Sequence, residues 1–519
     1  MVDNEFSFGL SSQWAPGFAA ALIVLVCASL YSFFRDEKPY SGLPLYGKHD
    51  GEFLNTKAKE RFRDSAKTIL KHAMKENNGK PFQVITDTGP IIFLNASYSD
   101  EIRNDHRFGF TEFLHRLFLT KYSGLEGVIL PVGFQNDVLK ATVRKNLTQS
   151  LGAITNDLAE EVKSVIHEQL GAITGEAWSG VAFAPVANQI AARLSNRVFM
   201  GKRLGAEQEW LKVSIMYTID VQIAAQELRI VPPFARWLVH WFMPSMKRCR
   251  EHIRVARRLI EPEITARYKE RRNEMLSGKP TSKSLDAINW FMDNAANEPY
   301  DFALAQIVLA SAAIHTTTGM LLGLLYDLAQ NPETANELRK EIMQVLQEDG
   351  GWKKTTLYKM KLLDSCMKES QRLNPAGTLL INRVLLEEVT LSDGTRLPKD
   401  SIISIPSIHM RDKEIFGENA DKFDGYRFLH MRGEMGYENK WQFVTTNPEM
   451  YGFGHGMHAC PGRFFVSNEI KIAIAHLLLM FDWKFDEKIP RPKSLAENID
   501  QPDPNGKIWC RARVPELVL

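Results

Sequence analysis

Cysteine is scarce in this chain. The five residues, at positions 27, 249, 366, 460 and 510, are odd in number and scattered over 519 positions, which argues against a disulfide framework and fits a reducing compartment. An excess of one charge is also missing: 64 Lys and Arg against 62 Asp and Glu leave a net +2, so no nucleic acid or polyanionic substrate is implied. No Gly/Ser- or Pro-rich linker interrupts residues 50–519, and no internal repeat or low-complexity tract is found. With 44% hydrophobic residues, the chain can bury a large core, and one catalytic unit over 50–519 follows. Charge is absent altogether from two stretches, 15–34 and 302–326.

What is present is concentrated around Cys460, in the run Phe453-Gly454-His455-Gly456-Met457-His458-Ala459-Cys460-Pro461-Gly462-Arg463-Phe464. Gly454 and Gly456 let the backbone turn tightly against a flat ligand, and Pro461 suits the first turn of a helix continued by 468–481. A sulfur there would sit at a helix N-terminus, where N–H groups and the helix dipole favour a thiolate. A thiolate pushes electron density onto haem iron. The bland reading is a small buried hydrophobe. A dinucleotide-binding glycine fingerprint, Gly454-x-Gly456-x-x-Ala459, fails on context, because no hydrophobic strand precedes it and too little chain follows.

Phe453, Gly456, Cys460 and Gly462 occupy every position of the haem-binding signature of the cytochrome P-450 superfamily, which this chain resembles over essentially its whole length. The resemblance implies a mainly α fold with small β-sheets, haem b (iron protoporphyrin IX) ligated by Cys460, and monooxygenase chemistry. Where the family usually has an Arg that contacts a haem propionate, this chain has His458. Arg383 is a further propionate candidate. So is Arg144, which with Lys140 takes the place of the family's Trp-Arg pair, Lys145 competing with it.

Two more motifs follow in the family's order. Glu369-Ser370-Gln371-Arg372 places a carboxylate and a guanidinium on one helix face. With Arg427 of Phe423-Asp424-Gly425-Tyr426-Arg427-Phe428, it matches the family's buried Glu-Arg-Arg triad, although only the arginine of the usual Pro-Glu-Arg carries over. The uncharged stretch 302–326 reads as a buried helix, because Gln306, Ser311, His315 and Thr316-Thr317-Thr318 are costly in lipid. Within it, Ala312-Ala313-Ile314-His315-Thr316-Thr317 resembles the oxygen-binding motif. The i,i+4 spacing lets the Thr316 hydroxyl take the Ala312 carbonyl and open a groove. Thr316 is the expected proton relay. Ala313 replaces the family's glycine and His315 its acid, so His315 is either a member of the relay or a core histidine.

Residues 15–34 are long enough to span a bilayer, with Trp14, Tyr31 and Phe33 near the ends. The region before them carries Asp3 and Glu5 and no Lys or Arg, unlike a signal peptide. Arg35, Lys38 and Lys48 follow the span, so the positive-inside rule puts 1–14 in the lumen, 35–49 as a connector and 50–519 in the cytosol, on the endoplasmic reticulum membrane. Residues 82–85 and 91–94 read as a hairpin, 137–151, 332–346 and 357–373 as helices, and 381–408 as short strands.

Among P-450 enzymes, the runs around Cys460, Thr316 and Glu369 resemble fungal secondary-metabolism members, including the ent-kaurene oxidase and indole-diterpene groups. That implies a small apolar substrate such as a terpenoid. No flavin or nicotinamide site is visible, so an NADPH-cytochrome P-450 reductase, with cytochrome b5 as a second candidate, is the expected electron donor, docking near Lys140, Lys145 or Arg463. Two alternatives stay open: a haem-thiolate isomerase or dehydratase that does not use O2, and a non-catalytic haem-binding protein.

Overall fold

The computed structural model describes residues 15–35, 38–277, 284–498 and 503–514. Helices dominate and the sheets are small. Six helices bear on function: α1 (Ala15–Arg35), α2 (Thr56–Glu76), α3 (Gln208–Ile230), α4 (Phe302–Gln330), α5 (Lys361–Leu373) and α6 (Arg463–Met480).

α4 runs through the middle of the molecule. It is long and apolar enough to cross a membrane, yet 61% of its most apolar window is buried inside the protein, as expected of a helix apolar on all sides. Asp301 caps its start, accepting the Leu304 N–H at 2.9 Å. At its end Pro332 opens the next helix, Pro332–Asp349. The region read as one helix over 357–373 is two, Lys354–Lys359 and α5, broken at Met360, whose ψ of 75 is not helical.

The largest sheet joins β1 (Leu45–Tyr46), β2 (Phe82–Thr86), β3 (Gly89–Phe93), β4 (Phe108–Gly109), β5 (Leu379–Leu385) and β6 (Ile402–Pro406) in the order β1-β2-β3-β6-β5-β4. The expected 82–94 hairpin is β2–β3, in register Phe82↔Phe93 to Thr86↔Gly89. A second sheet pairs Phe481–Lys484 with Lys507–Ala512 and the latter with Ser179–Ala182.

Tyr40 and Gln83 exchange hydrogen bonds at 2.8 and 2.7 Å and Leu45 pairs with Gln83. Packing against the sheet therefore begins by Tyr40, inside the expected connector. α1 presents Leu22, Ile23, Val24, Leu25, Val26 and Leu30 on its exposed surface. The segment 1–14 and the side chains of Tyr31 and Phe33 lie outside what is described.

Candidate functional site

The Cys460 loop is built from short-range turns. Gly454 N–H donates to Tyr451 O at 2.8 Å, Ala459 N–H to Gly456 O at 3.0 Å and Cys460 N–H to Phe453 O at 2.7 Å. Gly454 and Gly456 have φ of +70° and +72°, the left-handed region that disfavours a side chain. At Gly456 a Cβ would also lie 2.5 Å from Arg103 Cβ and 2.6 Å from Arg103 O, so glycine is needed for the loop to lie against that segment. There Met457 N–H donates to Arg103 O and to Asn104 Oδ1, at 3.2 and 2.9 Å. Phe453 is buried and packs edge-on against Phe443, centroids 5.0 Å apart.

Cys460 lies just ahead of α6, whose N-cap is Gly462; Pro461 falls before the cap instead of in the first turn. Burial pushes the Cys460 thiol pKa up, while the backbone N–H groups of Gly462 and Arg463 and the Arg463 charge pull it down. Arg463 is held by Val444 O at 2.9 Å and Cys460 O at 2.8 Å. Cys460 lies deep in the protein and as a residue is only partly buried.

Exposure along α4 is uneven. Ala312 and Thr316 are exposed although Ile314, Thr317 and Thr318 beside them are buried. Thr316 Oγ1 lies 2.8 Å from Ala312 O and 3.1 Å from Ala313 O, on an exposed residue of a mostly buried helix. His315 points elsewhere: its Nε2 is 2.8 Å from Ile215 O on α3, and burial holds its pKa below the usual histidine value.

A cationic cluster completes the set. Arg383 on β5 is 3% exposed; among the described residues its guanidinium hydrogen-bonds Asn382 O alone, at 2.7 Å, and lies 5.3 Å from the Phe110 ring. Burial lowers its pKa to about 10. His458 is pushed down to about 4 by burial and then by Arg383, Lys140 and Arg144, so it is a neutral donor at physiological pH. Arg144 donates to Met457 O at 2.9 Å. A buried guanidinium without a carboxylate partner is costly, and an anion beside it offsets that cost. A flat dianionic group with an iron for the thiolate fits this donor set, the part-buried Cys460 and the exposed Ala312 and Thr316. Lys140, Arg144, Met457, His458, Arg463 and Phe464 also line a surface depression of about 460 Å³, from whose lining the exposed Lys145 is absent.

Behind the loop, Glu369 accepts from Arg372 Nε and Nη2, both at 2.8 Å, from Arg427 Nε at 3.1 Å and from Asp424 N–H at 3.2 Å. Glu369 and Arg372 are fully buried. Arg372 reaches Met410 O at 3.0 Å, and Arg427 bonds Phe416 O and, at 3.1 Å, Asn419 O. Three chain segments are thus joined through one carboxylate.

Several residues here escaped sequence reasoning. Lys368 is buried and donates to Gln442 O and Thr445 O at 2.8 and 2.9 Å, its pKa lowered to about 7 by burial. Its place beside Glu369 was the only available signal. Glu469 on α6 is fully buried, accepts from Ser195 Oγ at 2.9 Å and has its pKa raised to about 8 by burial. Among residues flanking Cys460, it lacks any spacing pattern that marks it.

Comparison with known proteins agrees with these features. The chain matches the family Cytochrome P450 over residues 67–508. It is 37% identical over 480 residues to cytochrome P450 monooxygenase hepE of Aspergillus oryzae, covering 92% of this chain and 86% of that protein. It is 36% identical to cytochrome P450 monooxygenase adrA of Penicillium rubens, over 96% of this chain and 97% of the relative. With cytochrome P450 monooxygenase pyr3 of Aspergillus fumigatus the identity is 32%, over 100% of this chain and 98% of the relative. With the Cys460 loop, the buried Glu369–Arg372–Arg427 cluster and the Thr316–Ala312 bond in place, the chain belongs to the cytochrome P450 family of haem-thiolate monooxygenases.

Proposed function

We propose that this enzyme oxidises an unactivated carbon of a small apolar polycyclic substrate, a terpenoid, in a secondary-metabolite pathway, held to the endoplasmic reticulum membrane with its catalytic unit in the cytosol. The observation that carries the oxygen chemistry is the Thr316 hydroxyl, on an exposed residue, bonded back to Ala312 O within the uncharged stretch 302–326 of α4. Such a helix wall repels ionic substrates, whose desolvation it would leave uncompensated. An isomerase or dehydratase would have no use for that hydroxyl.

Cys460 would hold the haem iron, and Arg383, Arg144 and His458 would hold the two propionates, with Phe453 and Gly456 shaping the loop against the macrocycle. Bound haem supplies the activation of dioxygen, one atom of which enters the substrate C–H bond while the other leaves as water, for two electrons and two protons. The chain's own tasks are to exclude water, orient the substrate and deliver those protons. Thr316 Oγ1 would pass on a proton and take its replacement from solvent, because the Ala312 and Ala313 carbonyls beside it are acceptors with no proton to give. The N–H groups of Gly462 and Arg463 stabilise the thiolate and tune its donor strength. Glu369, Arg372 and Arg427 keep the loop fixed from behind.

The electrons come from an NADPH-cytochrome P450 reductase or cytochrome b5. The depression lined by Lys140, Arg144 and Arg463 with exposed Met457 and Phe464 offers an acidic partner both charge and apolar contact. Membrane attachment is supported by the uncharged stretch 15–34 of α1 and by a second apolar surface, where Ile230, Phe234, Trp237, Trp241 and Phe242 are 52–80% exposed.

The ferrous-CO spectrum tests the assignment. The wild type should show the strongly red-shifted Soret band of a thiolate-ligated haem and Cys460→Ser should lose it. A histidine-type band in the wild type would remove Cys460 from the role.

A further inference from the structure

His315 directly precedes Thr316, at the position of the acid in the family's oxygen motif. Its Nε2 faces a backbone carbonyl, Ile215 O, at 2.8 Å, so Nε2 must carry a hydrogen. Burial disfavours the imidazolium. A neutral imidazole has one N–H, and here it is committed to Ile215. Nδ1 then carries a lone pair and has no proton to give.

The bond has a particular place in the fold. Among the described residues it is the one side-chain hydrogen bond between α3 and α4. One turn of α3 carries a second tie: Tyr217 Oη donates to Gly124 O and accepts from Gly127 N–H, both at 2.9 Å. Gly127 is wedged there, since a Cβ would lie 2.6 Å from Tyr217 Oη and 2.8 Å from Ile307 of α4. Ile215 and Tyr217 therefore anchor the middle of α3 to α4 and to the 124–127 segment. The far side of α3 is fixed by Asp220, which accepts from Arg248 at 2.7 Å and lies 2.8 Å from His252 Nε2.

We propose that His315 is a positioning residue, a latch that ties α3 to the Ala312–Thr316 segment of α4 so that the seating of α3 and the geometry of that segment change together. This rests on the reading of that segment as the oxygen site. A bulky ligand held under α3 then depends on His315, and a small one does not.

The test uses the full-length haem-loaded enzyme with His315→Leu, which removes the donor, and His315→Gln, which keeps a side-chain N–H. Hydrogen exchange of the 211–225 amides is followed with and without 4-phenylimidazole, and the affinity for this bulky probe is compared with that for imidazole. In His315→Leu, exchange in 211–225 should rise about fivefold and 4-phenylimidazole should bind about fivefold more weakly, the weight of one neutral hydrogen bond. Imidazole binding should not change, and His315→Gln should restore both quantities. Unchanged exchange in His315→Leu, or failure of Gln to rescue, overturns the latch. Loss of the thiolate CO band in the wild type would instead refute the oxygen-site reading, while the exchange comparison would still decide whether α3 and α4 are latched.

Discussion

At the residue scale, Thr316 and Glu469 carry the most direct expectations. If Thr316 Oγ1 relays protons, Thr316→Ala should keep haem content and ligand binding while NADPH oxidation yields peroxide instead of product, since positioned acid-base groups contribute about 10²-fold or more. Peroxide formed per NADPH is the measurement, and unchanged coupling would take the hydroxyl out of the mechanism. Glu469 gives a pH dependence. Its folded pKa is raised to about 8, above an unfolded value near 4.3. The unfolded chain therefore ionises first as pH rises, and stability falls between about 4.3 and 8. Glu469→Gln keeps an acceptor for Ser195 and has no charge to bury. It should match the wild type in thermal midpoint near pH 5 and exceed it near pH 8, by a margin on the order of 3 kcal/mol. A constant difference across that range would mean that Glu469 is ionised in the fold.

Individual elements were legible where their signals are local. The Cys460 loop is set by glycines and a cysteine a few positions apart, and its turns close on residues within the same run. The Glu369–Arg372 pair lies on one helix face. The uncharged α4 and the β2–β3 hairpin were visible as patterns of charge and turn residues. Hidden were contacts made across the chain: Arg103 and Asn104 against Met457, Lys368 against 442 and 445, and the bond from His315 to α3. No sequence spacing encodes a side chain that meets a backbone carbonyl a hundred residues away. The Glu369 cluster gives the prediction at this scale. Glu369→Ala leaves Arg372 and Arg427 without their carboxylate, and breaking a buried ion pair costs about 3–5 kcal/mol. Its haem-loaded fraction and thermal midpoint should both drop sharply, whereas Lys440→Ala at an ion pair that keeps about 30% of its surface should change neither measurably.

At the scale of the whole molecule, the near balance of charge leaves membrane contact to apolar surface instead of to a basic face. Two such surfaces exist, the helix α1 and the patch of Ile230, Phe234, Trp237, Trp241 and Phe242 that follows α3. Tryptophan at the edge of an apolar patch favours the bilayer interface. Because Tyr40 already packs on the sheet through Gln83, a chain shortened by residues 1–36 keeps that contact and should leave the CO spectrum unchanged. The truncated enzyme should be released from membranes only in part, the second patch retaining the rest. Adding Trp237→Asp and Trp241→Asp should complete the release, since each substitution replaces an aromatic anchor with a charge. Sedimentation of both forms with vesicles checks this. Full release by the deletion alone would leave α1 as the sole attachment, and loss of haem on truncation would make the segment structural.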